Sequence, residues 1–443
     1  MDRHPITRRS LLGGAAAAGA AALLAQPAAL LEAAEAAPSD PHAAIDPTGL
    51  HQAGITTPGQ QHLVLAAFDL APGITKAQLI ALLQKWQPAI NQLCAGRPLP
   101  GADDPAKAPA DTGEALGQLA DRLTITIGFG PSLFDGRFGL AALRPPQLVD
   151  LPAFTGDRLD PARSGGDLSV QCCAEHRLVA EHALRQLARL ATGTAAVRWI
   201  QQGFNEPPAN PADGSGRNLF GFKDGTANLD AADPVRMARN VWVDAADGPA
   251  WLAGGSFQVY RRVAMNLATW DESSLSEQEA AIGRRRGTGA PFGGSGEFDR
   301  PDNARTPVDA HIRLANPRTG QASEDERILR RGYSFHDGLA GGAYDAGLAF
   351  IAYQRDPRRQ FVPMQTRLAA SDALNEYLTH TASAIFAIPP GTTASGYIGE
   401  TLLGGAPPRT TQPDPAADLR QPPPGPRRRG RPPRRRRPHR HHR

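Results

Sequence analysis

Apolar and polar positions along the chain form two successive groups of strands and helices. In the first group the pattern predicts strands over 62–70, 123–130 and 167–174, and helices over 75–93 and 175–192. In the second group it predicts strands over 255–263 and 347–354, and helices over 274–284 and 372–386. Pro88 is a candidate for a kink near the end of the first helix. The repeated pattern predicts an α+β fold that is an internal duplication, with antiparallel strand pairing.

The first 36 residues differ from this body. A charged start is followed by an apolar run from Leu11 to Leu24 and then by small residues, the order found in export signals. Arg8 and Arg9 stand directly before the apolar run, which resembles the twin-arginine signal that exports folded proteins. An ordinary secretory signal or an uncleaved anchor is the alternative. With cleavage after Ala36, the mature chain is expected to be periplasmic or secreted.

The other end of the chain carries most of its positive charge. From Ala406 onward there are 12 arginines and 2 aspartates, so the overall formal charge of +4 hides an acidic body. The basic isoelectric point therefore gives no support to nucleic-acid binding. Residues 406–443 are rich in proline and arginine, and we expect them to be a disordered tail. Binding to anionic surfaces is the alternative for this tail.

Cysteines and two helical histidines limit the chemistry further. Cys94, Cys172 and Cys173 are too few to pair completely, and the absence of Cys-x-x-Cys argues against zinc ribbons and thioredoxin-like sites. The absence of Cys-x-x-Cys-His argues against haem attached through thioether bonds. In the helix predicted over 175–192, His176 is expected on the apolar face and His182 on the solvent face.

Two short segments contain candidate chemistry. In the segment 221–228 a single carboxylate, Asp224, is bracketed by glycines, which occur where backbone turns sharply or approaches a neighbour closely. Lys-Asp-Gly is also an ordinary turn sequence, so this segment alone does not establish a site. His311 lies between apolar residues with Arg313 two positions on, a pattern that suits a ligand with an anion nearby.

Three motifs occur in a fixed order: Gly-Phe-Lys-Asp-Gly-Thr at 221–226, His-Ile-Arg-Leu-Ala-Asn-Pro-Arg at 311–318, and Leu-Arg-Arg-Gly-Tyr-Ser-Phe at 329–335. Together they closely resemble the dye-decolorizing peroxidases, and within that family the exported haem peroxidases that are also called deferrochelatases. The resemblance extends from about Gly54 to about Leu403. It implies a duplicated ferredoxin-like fold of the dimeric α+β barrel type, with halves at 37–215 and 216–405. It also implies haem b between the sheet and the helices of the second half.

The resemblance implies a role for each motif residue. Asp224 would be the distal carboxylate and Arg330 the distal arginine, while Arg331 would point the other way if this segment is extended. Asp224 would move the peroxide proton, and Arg330 would stabilise the charge on the leaving oxygen.

His311 would be the proximal ligand of the haem iron. Arg313 would pair with a haem propionate, and Asp372 is a candidate acceptor for the second nitrogen of the His311 ring. Further contacts with the cofactor are expected from Phe222, Gly225 and Thr226.

The function implied by the resemblance is that of a haem b peroxidase. It would reduce hydrogen peroxide and oxidise dyes, phenols or other bulky organic electron donors through a ferryl intermediate. The first alternative is a deferrochelatase that releases iron from haem with little peroxidase turnover, serving an iron-uptake system. The second is a binding protein without haem on the same fold. No nucleic-acid partner and no stable membrane insertion are expected, and a homo-oligomer is compatible with the sequence.

Overall fold

The computed structural model describes residues 40–101 and 104–404. The predictions for the export signal over 1–36 and for the tail over 406–443 therefore lie outside the described residues. Within those residues no helix is both long enough and apolar enough to cross a membrane.

The first half is one β-α-β-β-α-β unit. Its elements are β1 (His62–Leu70), α1 (Lys76–Cys94), β2 (Thr124–Phe129), β3 (Leu168–Ala174), α2 (Arg177–Leu190) and β4 (Ala195–Phe204). The four strands lie in the order β2-β3-β1-β4, and every neighbouring pair is antiparallel. This order is that of a ferredoxin-like sheet.

The second half repeats this arrangement with additional short helices. After α3 (Pro234–Asn240) come β5 (Ser256–Met265), α4 (Leu267–Glu272), α5 (Leu275–Ile282), α6 (His311–Ala315), α7 (Gln321–Asp325), β6 (Leu329–Arg330), β7 (Tyr333–Ala340), β8 (Ala343–Gln354), α8 (Phe361–Ser371), β9 (Leu378–Ile388) and α9 (Glu400–Leu403). Its sheet order is β7-β8-β5-β9, and the two-residue β6 pairs with the end of β8 that lies beyond its pairing with β7.

The two sheets close into an antiparallel barrel-like structure of eight strands. One seam is the pairing of Phe129 in β2 with Ala387 in β9, and the other is the pairing of Phe204 in β4 with Ser334 in β7. The predicted fold class, a duplicated ferredoxin-like fold of the dimeric α+β barrel type, is confirmed.

Local capping sets the start of two helices. Thr75 caps α1 and Ser274 caps α5, and each forms a capping box with the side chain three residues on. Helix α1 continues past Pro88 to Cys94, so the proline does not end it.

The helix predicted over 372–386 is wrong. Helix α8 ends at Ser371, before the predicted range begins, and the residues from Leu378 onward form strand β9. The apolar residues of this segment are compatible with the spacing of a helix and with that of a strand. Pairing with a distant strand makes the segment a strand, because β9 runs antiparallel to β5 along its full length.

The two histidines near α2 are also reversed relative to the prediction. His176 precedes the helix and is exposed, because α2 begins only at Arg177. His182 is buried, with Nε2 3.4 Å from the Asp111 carboxylate and Nδ1 3.2 Å from that of Glu114. The segment that contains Asp111 and Glu114 covers this side of α2. The spacing of apolar residues within the helix does not reveal such a covering segment.

The strands of the barrel separate two packing layers. On β1, Leu63, Leu65 and Ala67 pack into one apolar cluster while Val64, Ala66 and Phe68 pack into another. The first cluster fills the barrel interior, where Trp199 of β4 stacks on Tyr260 of β5. The second lies between the sheet and the helices. In the second half this outer face also forms one wall of a cavity.

Candidate active site

A cavity lies between the outer face of the second sheet, helices α6 and α8, and the loop that contains Asp224. Its walls are mostly apolar and include Phe222, Val263, Met265, Leu348, Phe350 and Leu378. Among the described residues, those that line it all belong to the second half or to the loop leading into it. The cavity therefore lies where the resemblance implies the haem.

His311 begins α6 and faces this cavity. Its Nδ1 lies 2.6 Å from Oδ2 of Asp372, and the other oxygen of Asp372 accepts a hydrogen bond from the Leu374 backbone N–H at 3.0 Å. Burial lowers the pKa of the His311 imidazole, but the Asp372 carboxylate outweighs that effect, so the pKa lies above its ordinary value. This contact occupies Nδ1 and leaves Nε2 as the ring nitrogen available to a metal.

Asp224 and Arg330 form an ion pair in the same cavity. Arg330 Nη1 donates to Asp224 Oδ1 at 2.9 Å, and Arg330 Nη2 donates to the backbone oxygen of Thr226 at 3.1 Å. The second carboxylate oxygen of Asp224 accepts a longer bond of 3.3 Å from Asn218 Nδ2. The side chains of Arg330 and Asp224 keep 33% and 28% of their surface exposed, so a small molecule can reach both.

The backbone of Arg330 is fixed by one amide side chain. Asn228 Oδ1 accepts from the Arg330 N–H at 2.9 Å, and Asn228 Nδ2 donates to the Arg330 carbonyl oxygen at 2.8 Å. The next residue points the other way, as the extended segment predicts. Arg331 is buried and donates to the Thr57 carbonyl oxygen at 2.5 Å and to the side chain of Gln60.

The other residues predicted from the 221–226 motif also lie at this cavity. Phe222 is almost fully buried and packs edge-on against Trp270. Gly225 has φ of +130°, a conformation that strains residues with a Cβ atom. Thr226 lines the cavity, but its hydroxyl donates to Oε1 of Glu297 at 2.7 Å.

The placement predicted for Arg313 is corrected by the structure. Arg313 does not line the cavity, and its Nη1 donates to the backbone oxygens of Asn303 at 2.5 Å and Thr306 at 2.7 Å. His311 and Arg313 lie on one short helix, where two positions correspond to a rotation of about 200°. A two-residue offset would place both side chains on one face only in a strand.

Two arginines that the sequence analysis did not single out line the cavity instead. Arg284 donates to the carbonyl oxygens of Gly289 and Glu297, both at 2.7 Å, and Arg318 donates to those of Ile312 and Asn316. Within the described chain neither forms an ion pair with a carboxylate. Arg318 ends the Asn-Pro-Arg part of the second motif, which is the one signal in the sequence that could have identified it.

Burial and the charge of Arg284 lower the pKa of Arg318 to about 10. Arg318 therefore stays protonated at neutral pH, and the surplus positive charge favours an anionic group at this end of the cavity.

These residues fit haem better than a bare metal ion. In the described part of the chain no group of three or more His, Cys, Asp or Glu side chains could hold a metal ion. A single oriented imidazole in an apolar cavity suits an iron that a macrocycle already holds. Arg284 and Arg318 supply the cationic end that the carboxylates of such a macrocycle require.

Comparisons with known proteins agree with this geometry. The profile of the family "Dyp-type peroxidase, N-terminal" matches residues 52–205, and that of "Dyp-type peroxidase, C-terminal" matches residues 215–393. A curated relative named Deferrochelatase, from Escherichia coli (strain K12), is 41% identical over 367 residues, which cover 80% of this chain and 86% of the relative.

Solved structures are similar over most of their length. The DyP-type peroxidase from Streptomyces coelicolor is 40% identical with a TM-score of 0.76, and the match covers 82% of this chain and 98% of that one. The ferric form of DtpA from Streptomyces lividans is 41% identical with the same TM-score and the same coverage. The DyP-type peroxidase from Cellulomonas bogoriensis is 42% identical with a TM-score of 0.74, covering 83% of this chain and all of that one.

Proposed function

This chain belongs to the Dyp-type peroxidase family and is a haem-dependent peroxidase, and from that premise we propose that Asp224 and Arg330 activate hydrogen peroxide beside a haem held by His311. One observation carries the assignment: an accessible aspartate–arginine pair shares a cavity with an imidazole whose second nitrogen is already held by a carboxylate. The electron donors are organic molecules such as dyes and phenols.

The residues that would hold haem have distinct tasks. His311 Nε2 would bind the iron, and Asp372 would orient the ring and strengthen its basicity through Nδ1. Arg284 and Arg318 would pair with the propionates, while Phe222 and other apolar side chains would enclose the macrocycle. Bound haem supplies the iron that takes two oxidising equivalents from peroxide and passes them to the donor.

Asp224 and Arg330 would do the work on the peroxide itself. The Asp224 carboxylate would accept the proton from one peroxide oxygen and return it to the other, which then leaves as water. The Arg330 guanidinium would donate hydrogen bonds to the oxygen on which negative charge develops. Because the ion pair leaves 33% of the Arg330 side chain and 28% of the Asp224 side chain accessible, both groups can exchange a contact with each other for a contact with peroxide.

The second candidate function is iron release from haem. The observation in its favour is that the curated relatives at 41% identity are named Deferrochelatase. In that case the cavity would bind haem as a substrate, and the freed iron would pass to an uptake system.

A peroxide titration of the haem-loaded protein, with analysis of the products, separates the two candidates. Repeated turnover of an added dye with the haem intact supports the peroxidase. Appearance of metal-free porphyrin together with ionic iron, and little dye oxidation, supports iron release.

We also propose that the chain is exported in folded form by the twin-arginine route. The support is Arg8-Arg9 before the apolar run from Leu11 to Leu24. Export after folding suits a protein that must take up haem before it crosses a membrane. Replacing both arginines with lysine should leave the full-length precursor in the cytoplasm, whereas unchanged export would refute the proposal.

A further inference from the structure

A buried ion pair lies next to the loop that contains Asp224. The Glu297 carboxylate contacts Lys223 Nζ at 2.8 Å, and the side chains of Glu297 and Lys223 are 5% and 9% exposed. The same carboxylate accepts from the Thr226 hydroxyl at 2.7 Å and from the Ser215 backbone N–H at 3.2 Å. Glu297 therefore binds three points of the 215–226 segment at once.

The surroundings leave little freedom to this carboxylate. A Cβ atom on Gly214 would lie 2.2 Å from Glu297 Oε2, and one on Gly289 would lie 2.7 Å from the Lys223 side chain. A side chain at either position would require Glu297 or Lys223 to shift. The Glu297 backbone oxygen also accepts from Arg284 at 2.7 Å, which ties the carboxylate to the cationic end of the cavity.

Two of the groups that Glu297 holds lie on either side of Asp224 in the chain. Lys223 precedes it and Thr226 follows two positions on, and the Thr226 carbonyl oxygen accepts from Arg330 Nη2. Glu297 thus constrains the backbone on both sides of the carboxylate and, through Thr226, one contact of its arginine partner. Lys223 also lines the cavity. Without Glu297 the Lys223 ammonium would keep the Asp213 backbone oxygen as its partner, and its unneutralised charge would compete with Arg330 for Asp224.

We infer that Glu297 is a positioning residue for peroxide activation, which holds the Asp224 loop in place and keeps the Lys223 ammonium away from the Asp224–Arg330 pair. The inference rests on the function proposed for Asp224. Glu297 itself touches neither peroxide nor haem in this assignment, because its two oxygens are occupied by Lys223, Thr226 and Ser215.

The central test is Glu297→Gln in the haem-loaded protein. We expect the second-order rate constant for the reaction with hydrogen peroxide to fall about tenfold or more, since a small misplacement of a catalytic group can cost up to ~10²-fold. The rate at which an organic donor then returns the protein to its resting spectrum should stay unchanged, and the haem content should be retained. A purely structural defect would lower haem content and both rates together.

A rescue variant tests the second part of the inference. Adding Lys223→Met to Glu297→Gln removes the competing ammonium, and the peroxide rate should recover by a measurable part of the loss. Glu279→Gln is the matched control, because Glu279 is also a buried glutamate in an ion pair, with Arg285 at 2.6 Å, and contacts no part of the Asp224 loop in the described structure. Its peroxide rate should equal that of the wild type.

Thr226→Val decides the outcome if Glu297→Gln does not fold. It removes one bond from Glu297 to the loop without leaving a buried charge unpaired, and the peroxide rate should fall. Wild-type peroxide rates in every folded variant of Glu297 or Thr226 would overturn the inference. If Asp224→Asn is slow in the same assay, only this inference fails; if Asp224→Asn and Arg330→Leu both also react at the wild-type rate, the proposed function fails with it.

Discussion

Arg330 Nη1 and Asp224 Oδ1 lie 2.9 Å apart although the two residues are separated by 106 positions in the chain. The contact depends on the loop that contains Asp224 meeting the two-residue strand β6, which contains Arg330. Asn228 holds the backbone of Arg330 from the same loop that contains Asp224, so the two catalytic candidates share one support.

Asp224→Asn and Arg330→Leu should each slow the reaction with hydrogen peroxide by about 10²-fold while the protein keeps its haem. The amide is the same size as the carboxylate but accepts no proton, and leucine removes the charge that stabilises the leaving oxygen. Stopped-flow absorbance of the haem band measures this step. Asp233→Asn, at the cap of α3, is a control of the same chemistry away from the cavity. Wild-type rates in both variants would refute the distal assignment.

His311→Ala should lose most of its haem or shift the haem spectrum strongly, because the variant lacks the imidazole that Asp372 orients towards the cavity at 2.6 Å. The other histidine that lines the cavity, His380, lies 3.9 Å from Asp157. Asp372→Asn should keep haem but weaken the donation from the ring, since an amide is a poorer partner for Nδ1–H than a carboxylate. Absorbance spectra and the iron reduction potential, which should rise in Asp372→Asn, test both. An unchanged potential in Asp372→Asn would show that the 2.6 Å contact has no influence on the iron.

Haem retention should depend on Arg318 and not on Arg313. Arg318→Gln removes a guanidinium that lines the cavity and has only carbonyl partners, so haem should dissociate faster. Arg313→Gln removes bonds to the 303–306 loop, and it should lower the melting temperature with a smaller effect on haem dissociation. Haem transfer to an excess of an acceptor protein gives both rates. Faster haem loss in Arg313→Gln than in Arg318→Gln would contradict the corrected placement.

His380 should make the folded state sensitive to mild acid. Burial, with the nearby positive charge of Arg261, lowers the pKa of His380 to about 3 from an ordinary value of 6.5. Below pH 6.5 the unfolded chain binds a proton that the folded protein excludes, so stability present above that pH is lost as the pH falls towards 3.

Between pH 7 and pH 5 the free energy of unfolding should fall by roughly 1–2 kcal/mol more in wild type than in His380→Gln. Urea unfolding at the two pH values measures the difference, with His336→Gln as a control at an exposed histidine. Equal pH dependence of wild type and His380→Gln would show that His380 is charged in the folded protein.

Much of the fold could be predicted because its signals are local. The strand at 62–70 follows from a short apolar run, and the helix predicted over 75–93 follows from apolar residues at helical spacing, which need no information from distant residues. The segment 372–386 could not be assigned in this way, because its apolar residues fit a helix equally well and only the pairing with β5 makes it a strand.

In the candidate site, too, residues in local motifs could be predicted from the sequence, whereas contacts between distant segments could not. Motifs identified Asp224, His311 and Arg330, and the structure brings all three to one cavity. Arg313 was misplaced because a two-residue offset means opposite directions in a strand and in a helix. Glu297 lies outside every motif, and its contacts with Lys223 and Thr226 span more than seventy positions, so only the folded chain reveals them.

Arg331 makes the two halves inseparable. Its guanidinium contacts Thr57 and Gln60 of the first half, although the residues described around the cavity include none from that half. A second half expressed alone would leave this buried cation without its acceptors, directly beside Arg330. Separate halves of the present chain should therefore regain peroxide activity only when they are mixed and reassemble.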